Sequence, residues 1–165
     1  ILWKSLRRCI PLAIIATAIS VVTYSFFPEQ RISWGIIHFF ALSSLLQPFF
    51  SKSGSWIFLF IIISFLISEE IVRITMQVPI FIPLGIQYPG YYSADYYPLF
   101  PWFSYILLGQ GIQYLLEKSR VENWLRARKF PKLRWVGFLG RHSLSVYVLH
   151  VPILYAFIFL FTVLL

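Results

Sequence analysis

The sequence predicts an all-α, polytopic transmembrane helix bundle of about five spans. Three observations carry that expectation: several apolar runs near span length, a charged fraction of only 12%, and basic residues gathered on alternate connecting segments. Soluble domains carry roughly twice that charged share. With 59% hydrophobic residues in a chain of 165, a water-soluble fold this short could not bury its apolar surface, because small domains leave much of their surface exposed. The excess is expected to face lipid.

The runs fall at about residues 9–27, 32–50, 56–74, 98–116 and 143–164. Each approaches the roughly 20 residues that cross about 30 Å of hydrocarbon as a helix. A strand reading fails, since an open sheet edge leaves backbone groups unsatisfied in lipid. Lys4, Arg7 and Arg8 precede the first run, and Ser51-Lys52-Ser53-Gly54 separates the second from the third. Five spans alternate the connections between two sides, and 12 of the 14 basic residues then share one side, leaving Arg31 and Arg73 on the other. That asymmetry makes the basic side cytoplasmic. The expected localisation is therefore a cell (inner) membrane, multi-pass, with the basic loop 117–141 in the cytoplasm and a short helix around residues 121–129 within it. On this basis the whole chain, 1–165, is a single transmembrane domain.

The net charge of +8 reads as positive-inside anchoring to anionic headgroups, not as a nucleic-acid surface. The lone Cys9 excludes an intrachain disulfide and a cysteine-based metal site. No metal-ligand cluster, phosphate-binding glycine loop or nucleophile elbow occurs, so no metal is expected. The external segment 75–97 is rich in Pro and Tyr; Pro79 and Pro83 oppose a helix, and its tyrosines suit the membrane interface. The chain begins at Ile1 without a leader-like pattern, which gives the expectation of a piece of a longer protein.

Polar groups inside lipid are costly and so face a partner or a cavity. His38 lies about 9 Å below the outer edge of the second run; it reads either as a neutral histidine bonded to a neighbouring helix or as a base or substrate contact. Ser143, Tyr147 and His150 recur at i, i+4 and i+7, one helical face, and read as interhelical packing or a functional stripe. Asp95, just ahead of the fourth run, reads as a cap on that helix or as a carboxylate partner of His38. Glu69 and Glu70 precede Arg73 at pairing distance along one helix. Gln110, Gln113 and Glu117 make a smaller polar face, most simply a helix contact.

Three stretches together resemble a known family: Ile32-Ser33-Trp34-Gly35-Ile36-Ile37-His38 through Leu46; Ser93 to Gly111, with Asp95-Tyr96-Tyr97-Pro98-Leu99-Phe100-Pro101-Trp102; and Leu139-Gly140-Arg141-His142-Ser143-Leu144-Ser145-Val146-Tyr147-Val148-Leu149-His150-Val151-Pro152. In this order they look like the bacterial relatives of heparan-alpha-glucosaminide N-acetyltransferase. The resemblance implies transfer of an acetyl group from cytosolic acetyl-CoA to a sugar or glycan acceptor on the far side. It implies catalytic roles for His38, Asp95 and His150, substrate contacts at Tyr96, Trp102, Tyr147 and Ser143, and CoA phosphate binding at Arg141 and His142. Family members normally open with further spans bearing an Arg-x-x-x-Leu/Phe-Asp-x-x-Arg-Gly type sequence and a histidine that acts in transfer. Those are not in this sequence, so the resemblance covers the C-terminal part of the family domain. The bilayer and the acceptor are the expected partners, and a homo-oligomer is compatible with the sequence. Two other classes compete: a transporter or flippase fragment whose polar faces line a path, and a non-catalytic helical module.

Overall fold

The computed structural model describes residues 2–119 and 134–164. They form helices without an extended strand, and the chain divides into two units, Ile1–Arg120 and Val121–Leu165. The first unit holds four helices: α1 (Leu2–Phe26), α2 (Ile36–Phe50), α3 (Ile57–Ile71) and α4 (Leu99–Lys118). The second holds α5 (Arg134–Arg141) and α6 (Ser143–Leu164). Among the described residues three segments have the length and apolar composition to cross a membrane: Trp3–Phe26, Gly54–Ile71 and Ser143–Thr162. α2 is apolar but spans 15 residues, about 22 Å at the helical rise. α4 breaks near its start at Phe100 (φ −101°, ψ 129°), so its continuous part is 101–118, about 27 Å, and it is diluted by Gln110, Gln113 and Glu117.

α1 begins earlier than the sequence suggests, because Lys4, Arg7 and Arg8 lie inside it. Long basic side chains do not stop a helix; their stems lie along apolar surface while the heads reach water. The Arg7 guanidinium sits over the Trp3 ring at 5.5 Å. The buried residues of α1 are Ser5, Cys9 and Ala16, a narrow stripe of small side chains that lets α2 approach closely.

α3 and α4 are matched in the same way. The buried positions of α3, Ile57, Ile61, Ser64 and Ser68, fall at i, i+4, i+7 and i+11, a single helical face. Facing them on α4 are Leu99, Phe103, Ser104, Leu107 and Gly111. Ser104 Oγ donates to Ser64 Oγ at 2.7 Å with both residues buried, and a Cβ on Gly111 would sit 3.2 Å from the Phe58 ring. Small and hydroxyl residues at the contact are the usual way helices associate in lipid, where apolar burial gives little preference for helix over tail. Phe39, Ile57, Ile61, Leu99, Phe103 and Leu107 form the shared core where α2 meets α3 and α4. Large side chains such as Ile14, Val21, Ile62 and Leu66 stay exposed on the outside, as lipid contact requires.

The two hairpins are joined at one end by their loops. Trp34 and Tyr96 form a parallel bridge, with Ala94 N–H donating to the Arg31 carbonyl (3.0 Å) and Tyr97 N–H to the Trp34 carbonyl (3.3 Å). The Trp34 indole N–H donates to the Tyr97 carbonyl at 3.1 Å. This end carries Glu29, Arg31, Glu70, Arg73 and Asp95; Lys4, Lys52 and Lys118 lie at the other ends of the same helices. Glu70 and Arg73 pair at 3.3 Å on the rim.

Segment 75–97 is folded rather than a simple surface loop. Helix α3 ends at Ile71, and Thr75 then bridges Gln87. Between them Pro79–Leu84 winds as a 3₁₀ turn. Pro79 opens that turn, where its missing N–H costs no hydrogen bond. Gly85 closes it at φ +121°, a backbone conformation that favours glycine. The short helix expected near 121–129 lies outside the described residues. The end of the basic connection is helical, as α5.

Candidate functional site at the paired loops

The start of α2 is where the polar residues converge. A helix start exposes backbone N–H groups without internal partners, and here two of them are taken by side chains. Ile36 N–H donates to Asp95 Oδ2 at 3.0 Å, and Gly35 N–H donates to His38 Nδ1 at 3.2 Å. Asp95 thus caps a helix, as expected for a carboxylate at a positive dipole end, but the helix is α2 and not the adjacent α4. Its own segment is bent toward α2 by Ser93. The Ser93 hydroxyl donates to the Asp95 carbonyl (2.7 Å) while accepting from Ser33 N–H (3.1 Å).

Gly35 makes this approach feasible. A Cβ built there would overlap the Asp95 carboxylate oxygen and lie 2.9 Å from Ile32 Cγ2. The backbone of Gly35 is extended (φ −99°, ψ −175°), so the requirement is for space, not for an unusual conformation.

The partners of His38 fix its proton. Because Gly35 N–H must donate, Nδ1 is an acceptor and the neutral ring carries its hydrogen on Nε2. Nε2 lies 3.3 Å from Ser20 Oγ on α1, and Ser20 Oγ–H donates to the Ile32 carbonyl at 2.7 Å. The ring also stacks near Trp34, centroids 5.2 Å apart. His38 is therefore bonded to a neighbouring helix and presents a donor rather than a free base nitrogen. Asp95 and His38 grip consecutive amides of one turn, so the structure brings them together as the sequence allowed.

Tyr96 also lies at this end. Its hydroxyl donates to the Ile82 carbonyl at 2.9 Å, and burial pushes its ionisation up to about 12, with Gln87 opposing and Tyr91 adding to the rise. Tyr88, Tyr91 and Tyr96 form an edge-on ring cluster at 5.2–5.3 Å. The Tyr91 hydroxyl is enclosed without a partner in hydrogen-bonding geometry among the described residues. Burial raises its ionisation, and the nearby Ser93 and Ser33 hydroxyls oppose the rise. Trp102 is elsewhere: it stacks between Tyr97 (4.7 Å) and Tyr105 (5.7 Å) and is 38% exposed. That aromatic ladder on the outside of α4 suits the membrane–water interface.

At the opposite end of the same unit, α2, α3 and α4 enclose a cavity of about 170 Å³ lined by Gln47, Ser51, Gly54, Gln110, Gln113 and Glu117 among others. Gln110 Nε2 donates to the Gln47 carbonyl at 3.3 Å, as expected of a helix contact, and its buried Oε1 has no partner among the described residues. Gln113 Nε2 donates to Glu117 at 2.8 Å along α4.

In the second unit, Ser143, Tyr147 and His150 occupy one face of α6. His150 Nδ1 faces the Tyr147 carbonyl. His142 Nδ1 donates to the Phe138 carbonyl at 2.9 Å, its ring stacked on Phe138 at 4.4 Å. Arg141 ends α5 and is exposed. His38 thus offers Nε2–H. No three His, Cys, Asp or Glu side chains converge as a metal site among the described residues.

Ser20 and Gly35 complete the site; Gly35 was quoted only within the family-like stretch, without a role, and Ser20 was not singled out from the sequence. Ser20 carried a faint signal as a hydroxyl within an apolar run, and Gly35 as a glycine just ahead of a helix. In a comparison with known families, the family model described as heparan-alpha-glucosaminide N-acetyltransferase, catalytic, matches residues 2–152. No curated protein and no solved structure matches the chain.

Proposed function

The chain belongs to the heparan-alpha-glucosaminide N-acetyltransferase catalytic family, and from that premise we propose that it moves an acetyl group from cytosolic acetyl-CoA to an extracytoplasmic sugar or glycan. The observation that carries this reading is the half-buried polar circuit at the start of α2, where Asp95 and His38 hold consecutive amides. An ordered, hydrogen-bonded polar group inside an apolar bundle is the usual mark of a site.

In the reaction the acceptor nitrogen or oxygen attacks the thioester carbonyl. The new C–N or C–O bond forms, the C–S bond breaks, the acceptor proton passes to a base and CoA leaves as the thiolate. Developing negative charge on the carbonyl oxygen calls for donors, and the incoming nucleophile calls for a base. We assign the donor role to His38 through Nε2–H within the first unit, and proton uptake to His150 of the second unit on the strength of the family resemblance alone. Asp95 fixes the start of α2 and with it the His38 ring. The aromatic residues Tyr96 and Trp102 flank the acceptor end, Tyr147 and Ser143 share the face of His150, and Arg141 and His142 take CoA phosphates at the cytoplasmic surface. The excess of Lys and Arg at the other end of α1, α2 and α4 supports the orientation.

The test uses the complete protein in proteoliposomes. Transfer of labelled acetyl from acetyl-CoA outside to a glucosamine-terminated oligosaccharide inside is compared for wild type, His38→Asn, Asp95→Asn and His150→Gln. Loss of a general base lowers kcat by about 10²–10⁴, so His150→Gln is the severe case. Wild-type rates in all three variants would overturn the assignment.

A further inference from the structure

We propose that Ser20 is a positioning residue for this reaction: it accepts from the Nε2–H of the His38 tautomer that Gly35 imposes and keeps that hydrogen directed between α1 and α2. The inference rests on the acyl-transfer reading above and adds to it a residue from a third segment of the chain.

The argument starts from what hydroxyls do inside a helix. A Ser or Thr facing lipid satisfies itself by donating back to the carbonyl four residues earlier. Two neighbours of Ser20 on α1 do so: Thr17 donates to Ala13 at 2.9 Å and Thr23 to Ile19 at 2.9 Å. Ser20 instead reaches out of its helix, donating to the Ile32 carbonyl at 2.7 Å. Its single hydrogen is then committed, and what it turns toward His38 Nε2, 3.3 Å away, is a lone pair. A serine in this state can only accept from the ring.

The other side of the ring imposes the same polarity. Gly35 N–H donates to Nδ1, so Nδ1 cannot carry hydrogen and Nε2 must. The direction of every bond is thereby fixed: Gly35 N–H to Nδ1, Nε2–H to Ser20 Oγ, Ser20 O–H to Ile32 carbonyl. Reversing the ring would set two hydrogens against each other at Gly35 and two lone pairs at Ser20. Thr23 reinforces the frame, since its Oγ1 accepts from Ile32 N–H at 3.1 Å and so holds the residue whose carbonyl Ser20 uses. A histidine in this circuit donates to the reacting oxygen when substrate competes for its Nε2–H, and it is not disposed to remove a proton.

The experiment reads the ring directly. The complete protein with ¹⁵N-labelled histidine is placed in nanodiscs, His38 is assigned by its loss in His38→Asn, and the protonated ring nitrogen is identified. The wild type is expected to carry hydrogen on Nε2. Ser20→Ala leaves Gly35 N–H on Nδ1, so the hydrogen should stay on Nε2 while the ¹⁵Nε2 shift moves for loss of its acceptor, and kcat should fall about three- to tenfold, the range for loss of one hydrogen bond, with KM changed less. Ser20→Thr, which retains the hydroxyl, should restore both. A wild-type ring protonated on Nδ1 overturns the proposal even if Ser20→Ala fails to fold. So does a Ser20→Ala protein whose ring signature and kcat match wild type, or a Ser20→Thr protein that rescues neither. If the tautomer behaves as stated but the wild type transfers no acetyl group, the acyl-transfer reading falls while the Ser20–His38 tie stands.

Discussion

Replacing Gly35 with alanine tests whether Asp95 completes α2. The added Cβ would overlap the Asp95 carboxylate oxygen, so either the carboxylate withdraws or the helix start moves. In both cases Ile36 N–H loses its charged acceptor, now at 3.0 Å. A hydrogen bond to a charged group contributes about 1.5–3 kcal/mol. In a protein of this size each kcal/mol moves the melting temperature by roughly 2–4 °C, so Gly35→Ala should melt about 3–12 °C below wild type in nanodiscs. Asp95→Ala removes the same bond and should cost a similar amount. The double variant is the decisive measurement, because groups in direct contact are not additive. With no carboxylate to displace, the alanine at 35 should cost less on top of Asp95→Ala than in wild type, only the 2.9 Å contact with Ile32 Cγ2 remaining. A double variant whose losses simply sum, or a Gly35→Ala protein that melts like wild type, would refute the reasoning.

Two further outcomes follow from the packing and the loops. Ser104→Ala removes the donor to buried Ser64 and should lower stability by roughly 0.6 kcal/mol, and at most about 1.7, the range measured for interhelical hydrogen bonds in membranes; reversible unfolding in detergent checks it. The Tyr96 phenol, raised to about 12 by burial, should be among the last tyrosines to ionise in an ultraviolet titration. Because its folded value lies above the unfolded value near 10, its contribution to stability is complete below about pH 10 and is lost as pH rises toward 12. Tyr96→Phe should flatten that alkaline loss, and an unchanged alkaline profile would count against the assignment.

Much of this fold was legible because lipid enforces a simple rule on sequence. The runs around 9–27 and 143–164 were visible as unbroken apolar stretches, and α1 and α6 lie over them. Their limits were less legible. Lys4, Arg7 and Arg8 look like a stop before the membrane, yet a helix continues through them because their charges reach back to water. The 75–97 segment gave only its prolines and tyrosines, since its shape depends on a bridge between Thr75 and Gln87 and on Gly85.

The site was legible in part and for a definable reason. Alternation of spans put His38 and Asp95 at one end, and the structure brings them to the same helical turn. What the sequence could not supply was direction across space. Asp95 precedes α4 and so invites a local cap, but backbone pairing through Trp34 and Tyr96 carries it to α2 instead. Ser20 is separated from His38 by 18 residues along the chain, and no periodicity connects two helices before their packing is known. Trp102, implied as a substrate contact by resemblance, stands in an aromatic ladder on the outer surface, where sequence alone does not distinguish a ligand wall from a membrane belt.

Most helix starts are finished by a residue within their own turn, whereas Ile36 waits for a carboxylate 59 positions later in the chain. A ribosome therefore delivers the first hairpin with its second helix still open to water at the membrane edge. Closure comes only once α3 has threaded back across and the segment that ends in Asp95 has followed it. Assembly order is thus written into one long-range bond: the early half can insert, but it cannot seal until the later half arrives.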